Sequence, residues 1–466
     1  MRIQIPDQVE YIIDTLTNAG FEAYAVGGCV RDTILNRSPE DWDITTSAKP
    51  LEVKQLFRRT IDTGIEHGTV TVMLDKTGYE VTTYRIDGEY EDNRHPKSVE
   101  FTSNLIEDLK RRDFTINAMA YNPTIGLVDE FNGLHDLQNK VIRCVGKAED
   151  RFDEDALRIL RAVRFAAQLG FTIDEETTKA ISAKAKHLTA ISAERIRVEL
   201  VKLLTSPHPE KLITASELGI TKVILPEFDD MLHTPQINPH HIYNVGVHTI
   251  ESIRAMRRLV VEEKDYPEEL LQIDSKLYTV LCLTMLLHDV GKPQTRTLDH
   301  SGRDHFHGHP AISSKMAKSI LNRLKFDNYT INLVVRLITH HDERIRPEPV
   351  IVRKAANTMG NDLMELLFLV QHADISAQNP TTYEGKYEII KKVRKIYEDC
   401  VRKGYPMCQS DLAINGKDLI EQGFLPGKEL GNLLNTLLNV VLEYPEYNNR
   451  EELLRLSEKY RDNPSF

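Results

Sequence analysis

Near the amino terminus, Ala25-Val-Gly-Gly-Cys-Val-Arg-Asp32 is followed after a short loop by Asp41-Trp-Asp43-Ile44. Gly27 and Gly28 carry no Cβ, so a triphosphate can lie against their amide N–H groups, and Arg31 adds a cationic fork beside them. Asp41 and Asp43 are separated by one residue, so on an extended segment both carboxylates face the same way and can share Mg2+. Glu80, in Tyr79-Glu-Val-Thr-Thr-Tyr-Arg85, falls in a strand pattern that would bring a third carboxylate to the same sheet surface. Three carboxylates suit two-metal phosphoryl transfer. One ion lowers the pKa of an attacking hydroxyl; the other binds the triphosphate and neutralises the departing pyrophosphate.

A second group of residues is suited to holding a nucleotide. Arg112 and Asp113 lie in Arg111-Arg-Asp-Phe-Thr-Ile-Asn-Ala-Met-Ala120, where a carboxylate can accept from a ribose 2′-hydroxyl. The same Asp113 is also placed to cap a helix starting at Phe114. Glu154-Asp-Ala-Leu-Arg158 puts Asp155 and Arg158 three apart on a predicted helix, where both can meet one base edge. The carboxylate accepts from the exocyclic amine of cytosine or adenine and the guanidinium donates to the ring, whereas uracil and guanine present a carbonyl instead. A plain i,i+3 salt bridge is the structural alternative. Arg161 and Arg164 continue the basic stripe.

These motifs resemble those of the class II tRNA nucleotidyltransferase / poly(A) polymerase family, in the same order. The resemblance extends to Asp129-Glu-Phe-Asn-Gly-Leu-His-Asp-Leu137 and to Ile191-Ser-Ala-Glu-Arg-Ile-Arg-Val-Glu-Leu200, which in the family couple head to neck and brace the preceding helix. It implies template-independent addition of C, C and A to tRNA from CTP and ATP. Asp41, Asp43 and Glu80 would be catalytic, with Mg2+ on the two aspartates. Gly28, Arg31, Arg112, Asp113, Asp155, Arg158, Arg161 and Arg164 would be nucleotide-binding. Arg85 to Pro96 resembles the flexible loop that full CCA-adding members keep, and residues 401–466 resemble their tRNA-binding tail. A-addition alone or polyadenylation is the nearest rival, followed by a hydrolase with a silent head and by an RNA-binding scaffold.

Most of the 17 histidines fall between His233 and His372. Leu286-Leu-His-Asp-Val-Gly-Lys-Pro293 resembles the HD phosphohydrolase signature, an apolar helix ending in His288 and Asp289, with Gly291 and Lys292 following where a phosphate could bind. His248 upstream and Asp374 downstream complete a set of imidazole and carboxylate ligands for a divalent metal of unknown identity. His309, His340 and His341 lie where binuclear members of that superfamily place a second metal. Such a centre could open 2′,3′-cyclic phosphates or remove phosphates at damaged RNA 3′ ends.

The elements that must position these residues are expected to form an α+β protein. Val9 to Ala19 has helical spacing; Ala23–Val26, Val70–Leu74, Tyr79–Tyr84 and Val99–Thr102 read as strands of a mixed sheet. After Asp150 apolar residues recur every three or four positions, so the remainder is expected to be helical. The expected division is a head over 1–147, a helical neck over 148–232, an HD-type domain over 233–400 and a helical tail over 401–466.

At 466 residues, with 41% hydrophobic and 28% charged residues, the chain is long enough for several cores. The net charge of −11 excludes a broad basic surface that coats nucleic acid, so contact with tRNA must be local and DNA is not expected. Five cysteines without a C-x-x-C pair, and no signal-type or membrane-spanning apolar run, fit a reducing cytoplasm with no membrane partner.

Overall fold

The computed structural model describes residues 2–87 and 99–462. The chain divides into two compact units, Met1–Pro226 and Glu227–Phe466. The division at Pro226 falls inside the segment expected as the neck, 148–232, so its last residues belong to the second unit.

In the first unit, α1 (Asp7–Asn18) buries Val9, Ile12, Ile13 and Leu16, one stripe at helical spacing, with Asp7 and Glu10 favourably placed at the positive end of its dipole. It leads into β1 (Ala23–Val26), all four residues of which are buried. After β1 come α2 (Gly28–Ile34), β2 (Asp43–Thr46), α3 (Pro50–Leu56), β3 (Thr60–Gly64), β4 (Thr69–Leu74) and β5 (Thr77–Thr83). A hairpin-like pair, β6 (Arg85–Asp87) and β7 (Val99–Phe101), flanks the charged segment 88–98, which lies outside the described residues. The head closes with α4 (Leu105–Lys110), β8 (Ala120–Asn122), β9 (Gly126–Val128) and α5 (Gly133–Gln138).

Seven strands form one sheet in the order β3-β4-β5-β2-β1-β8-β9. Only the β2–β5 pairing is parallel, which makes the sheet mixed, as expected. Its register sets Asp43 beside Glu80. Strands β2, β3, β8 and β9 carry no clear sequence signal, because each is short and β2 begins with the charged Asp43.

The neck consists of α6 (Ala148–Glu154), α7 (Leu157–Leu169), α8 (Glu175–Lys184) and α9 (Ala193–Leu204). Two helices meet where one was expected: Asp155 is extended (φ −140°, ψ 103°), and its Oδ1 accepts from the Leu157 N–H at 3.0 Å. The carboxylate therefore caps α7 rather than standing on its face. Helix α7 ends at Gly170 with φ +72°, and a Cβ there would also lie 2.8 Å from the His208 ring.

The second unit is helical apart from the two-residue strands Thr297–Leu298 and Asp304–His305. The helix Ser275–Leu287 is buried continuously from Val280 to Leu287 and delivers His288 and Asp289 from its carboxyl end into the interior. It packs among the helices Val245–Arg257, Asn328–His340 and Asn361–Ser376. The tail has its own core of Leu419, Leu437, Leu438, Val441, Leu442 and Leu453. No described helix is long and apolar enough to cross a membrane, and all five cysteines are free.

Candidate functional site

Gly27 sits at φ +83°, and a Cβ there would lie 3.0 Å from Arg112 Nη1. Glycine is required both for the turn and for the approach of that guanidinium. The Gly27 amide donates to the Met119 carbonyl at 3.2 Å, so of the two glycine amides expected to face a phosphate this one is already engaged. Arg31 is similarly committed. It forms a two-pronged pair with Asp32 at 2.9 and 2.7 Å and donates to Asn117 Oδ1 at 2.6 Å.

Asp41 and Asp43 are both exposed at the start of β2, and Glu80 is exposed beside Asp43 on β5. Surrounding protein pushes the Asp43 carboxyl above its usual value; Arg112 pulls it down, and the like charges of Glu80 and Asp41 push it up again. Three oxygen donors that repel one another, two on the neighbouring strands β2 and β5 and one just before β2, suit a hard divalent cation. Arg112, which faces them, is held by Asp108 Oδ2 at 3.5 Å, and its Nε is buried without a hydrogen-bond partner.

Asp108 carries no signal in the sequence beyond a helix-terminal acid. It is fully buried and accepts from Thr45, Arg111, Arg112 and the Arg85 amide, tying β2, α4 and the RRD turn together. Burial alone would raise its carboxyl, but Arg111 and Arg112 hold it below the usual range.

Asp113 accepts from its own neighbour Phe114 N–H at 2.8 Å and from Asn117 at 3.0 Å, and a 3-10 turn (Thr115–Asn117) follows instead of the helix expected there. Its other oxygen takes both Arg161 Nε and Nη2, at 2.8 and 2.6 Å. Despite burial, which would raise it, Arg161, Asn117 and Arg158 keep Asp113 far below the ordinary carboxylate range. Arg164 pairs with buried Glu199 at 2.8 Å and stacks 3.5 Å over the Phe165 ring, which Arg31 and Arg161 also approach at 5.0 and 5.3 Å. One aromatic ring thus collects an arginine from α2 and two from α7.

Asp155 and Arg158 do not pair with each other. Asp155 Oδ2 accepts from Arg195 on α9 at 2.7 Å, while Arg158 donates to Glu154 at 2.6 Å and to the carbonyls of Arg111 and Arg151 at 2.8 and 3.3 Å. The premise that both stand on one helix face is corrected: Asp155 lies in the break before α7. Arg195, expected only as part of a buttress, is its direct partner.

In the second unit, His248, His288 and Asp289 form one group of candidate ligands with atoms within 4.8 Å of one another, and Asp289, His309 and His341 form another. Asp289 Oδ2 faces His288 and His248 Nε2 at 3.2 and 3.5 Å; its Oδ1 faces His309 and His341 at 3.3 and 3.8 Å. Asp374 Oδ1 joins the first group at 2.9 Å from His248. Each imidazole turns its Nδ1 to a main-chain carbonyl: His248 to Ala377, His288 to Met285, His309 to Phe306 and His341 to Ile338. Every Nε2 is therefore left as the inward-facing atom, the arrangement that imidazole ligands adopt.

His288 is drawn up to about 10: burial opposes this, but Asp289 and Asp374 prevail. Burial pushes His341 down to about 4. His340 lies apart, its Nδ1 2.6 Å from Glu343. Lys292, expected beside a phosphate, is buried against Asp289 at 2.7 Å and donates to Gln236 at 2.8 Å.

Residues 23–143 match the family model described as "Poly A polymerase head domain", 170–232 the one described as "Probable RNA and SrmB-binding site of polymerase A", and 309–456 the one described as "tRNA nucleotidyltransferase domain 2 putative". A CCA-adding enzyme of Streptococcus thermophilus is 35% identical over 447 residues, covering 95% of this chain and 94% of the relative. One of Lactiplantibacillus plantarum is 57% identical over 198 residues, 42% of this chain and 49% of the relative. The crystal structure of the Bacillus stearothermophilus CCA-adding enzyme with CTP superposes with a TM-score of 0.68 at 28% identity, covering 99% of each chain. The Thermotoga maritima CCA-adding enzyme with tRNA shares the fold, with a TM-score of 0.61 at 20% identity over 98% of this chain and 99% of that one. With a 35% identical relative matched along nearly its full length and the head carboxylates and their arginine network in place, this chain belongs to the CCA-adding enzyme family.

Proposed function

We propose that this protein adds C, C and A to the 3′ end of tRNA, using CTP and ATP and releasing pyrophosphate without a nucleic-acid template. The observation that carries this reading is the β2–β5 register, which sets Asp43 beside Glu80 in a chain related along nearly its whole length to a CCA-adding enzyme. Asp41 and Asp43, with Glu80 alongside, would hold Mg2+, which supplies charge to the triphosphate and acidity to the attacking 3′-hydroxyl. Arg112 stands between this edge and Gly27, where its guanidinium can meet triphosphate oxygens.

Asp155 would accept from the amine of cytosine or adenine, and Arg158 would have to exchange its present partners to reach the ring. Arg161 and Arg164 hold the surrounding network through Asp113 and Glu199. The cytoplasm is the compartment we assign, supported by five unpaired thiols. The test is radiolabelled CTP or ATP with tRNA lacking its 3′ end. Incorporation of C and then A supports the assignment; A alone indicates A-addition or polyadenylation, and no incorporation overturns it.

A second reading concerns the other unit: His248, His288, Asp289, Asp374, His309 and His341 would hold divalent metal, in a cluster where each Asp289 oxygen faces a different pair of imidazoles. Four inward Nε2 atoms around buried carboxylates support this reading. His309 and His341 bring their Nε2 atoms to 3.2 Å while both Nδ1 protons are donated to carbonyls, so two lone pairs face each other, an arrangement that a shared cation would relieve. The activity expected of such a centre is phosphohydrolysis at RNA 3′ ends. Hydrolysis of RNA ending in a 2′,3′-cyclic phosphate or a 3′-phosphate at rates equal in wild type and Asp289→Ala would reject it.

A further inference from the structure

The histidine–aspartate cluster opens into a cavity of about 200 Å3, lined by Asp374 and His341 from the cluster, by Arg344 and Lys386, by the carboxylates Asp342 and Glu343, and by an apolar wall of isoleucines. Pockets that enclose a whole small molecule run to roughly 300–1,000 Å3. This cavity therefore admits the end of a larger molecule rather than a complete nucleotide.

The two cations are arranged with respect to the cluster. Gln378 accepts from Lys386 Nζ and donates from Nε2 to Asp374 Oδ2 at 3.0 Å, so one amide fixes both the cation and a ligand carboxylate. Lys386 and Asp374 line the same cavity, which sets the ammonium group beside a ligand of the cluster. Arg344 is exposed beside Asp342, and the neighbouring Glu343 is occupied by His340. Lys292, the cation next to the HD dipeptide, is tied to Asp289 and Gln236. It is thus Arg344 and Lys386 that face incoming anions.

We propose that Arg344 and Lys386 form the anion-binding rim of this centre, and that its ligand is the 3′-terminal phosphate monoester of an RNA chain, entering phosphate first. The inference rests on the reading of the cluster as a divalent-cation centre. Two cations match the dianion of a monoester better than the monoanion of a cyclic phosphate, and the apolar wall suits the terminal sugar and base. In the hydrolysis, a water oxygen forms a new bond to phosphorus as the bond to the 3′-oxygen breaks. The 3′-oxygen leaves with a proton, giving orthophosphate and a 3′-hydroxyl. That hydroxyl is the group on which nucleotide addition depends.

The experiment uses the full chain loaded with Mn2+ and titrated calorimetrically. The titrants are inorganic phosphate, one RNA oligonucleotide ending in 3′-phosphate, 2′,3′-cyclic phosphate or 3′-hydroxyl, and a free 3′-mononucleotide. The 3′-phosphate RNA is expected to bind at least tenfold more tightly than the other two ends and than the mononucleotide. Arg344→Gln and Lys386→Gln are each expected to lower affinity for phosphate and for 3′-phosphate RNA about tenfold, with Lys386→Arg restoring most of it. Mn2+ stoichiometry and CTP incorporation should be unchanged in these variants. Unaltered phosphate affinity in both Gln variants, with Mn2+ bound, would overturn the rim while leaving the metal centre standing. Equal binding of the mononucleotide or of all three RNA ends would overturn the ligand assignment. Failure of the wild type to take up Mn2+ would overturn the centre itself and the rim with it.

Discussion

Asp155, in the break between α6 and α7, accepts a hydrogen bond from Arg195 on α9 at 2.7 Å, so the acceptor expected to select the base is oriented by a helix 40 positions along the chain.

Removing that orientation tests the base-selection role. Arg195→Met is expected to lower kcat/KM for CTP about 10–100-fold, from the roughly 1.5–3 kcal/mol of a hydrogen bond to a charged group. Discrimination against UTP should fall with it, and Arg195→Lys should recover part of both. Measuring kcat and KM separately for CTP, ATP and UTP checks this. A uniform loss on all three nucleotides would assign Arg195 to stability alone.

Asp43→Asn should abolish nucleotide incorporation while leaving the fold intact. The surrounding protein and the like charges of Glu80 and Asp41 hold the Asp43 carboxyl above its usual value although the residue is exposed, so in metal-free buffer it destabilises the folded state once ionised. The sign follows: the cost is absent below the ordinary carboxylate pKa and appears as pH rises through the elevated one. The variant is therefore expected to melt at or above the wild-type temperature at pH 7 in EDTA, and Mg2+ should raise Tm in the wild type more than in the variant.

The buried pair of Asp113 and Arg161 should behave in the opposite sense. Asp113 is held well below the ordinary range, so its stabilisation is full above the unfolded-state pKa of roughly 3.9 and is lost only as pH falls through the lower folded value. Asp113→Ala is expected to cost about 3 kcal/mol at pH 7, the low end for a broken buried pair because the Arg161 side chain is 33% exposed. Urea unfolding at pH 7 and in strong acid checks both the size and the disappearance of the difference.

The divergent placement of the two adjacent histidines gives a paired test of the metal centre. His341→Ala should reduce Mn2+ uptake and remove most of the rise in Tm produced by Mn2+. That rise corresponds to about 2.7 kcal/mol at a hundredfold excess over Kd. His340→Ala, which removes only a partner of Glu343, should leave both unchanged.

Much of the chemistry was legible because its residues are close in sequence. The Gly-Gly turn, Asp41 and Asp43 and the His288-Asp289 pair need only local spacing to declare a role, and the burial of Val280 to Leu287 follows from a run that is apolar except at Thr284, whose hydroxyl donates to the Val280 carbonyl. Strands β2, β8 and β9 were less visible, since a three- or four-residue strand has too few positions to display a period of two. Asp108 and Arg195 were not legible as partners. The first looks like an ordinary acid near the end of a helix and the second like one charge among several.

What the sequence determined by itself is the inventory: which segments are helical, which carboxylates and imidazoles are available, and the family to which their order belongs. Tertiary structure alone decided the pairings. It moved Asp155 off the helix and onto Arg195, committed Arg158 to Glu154, turned His340 away while directing His341 inward, and placed Lys386 rather than Lys292 at the cluster's mouth. The reason is that a buried charge must find a partner at hydrogen-bond distance, and which partner arrives there depends on how distant helices pack, a property that spacing along the chain does not carry.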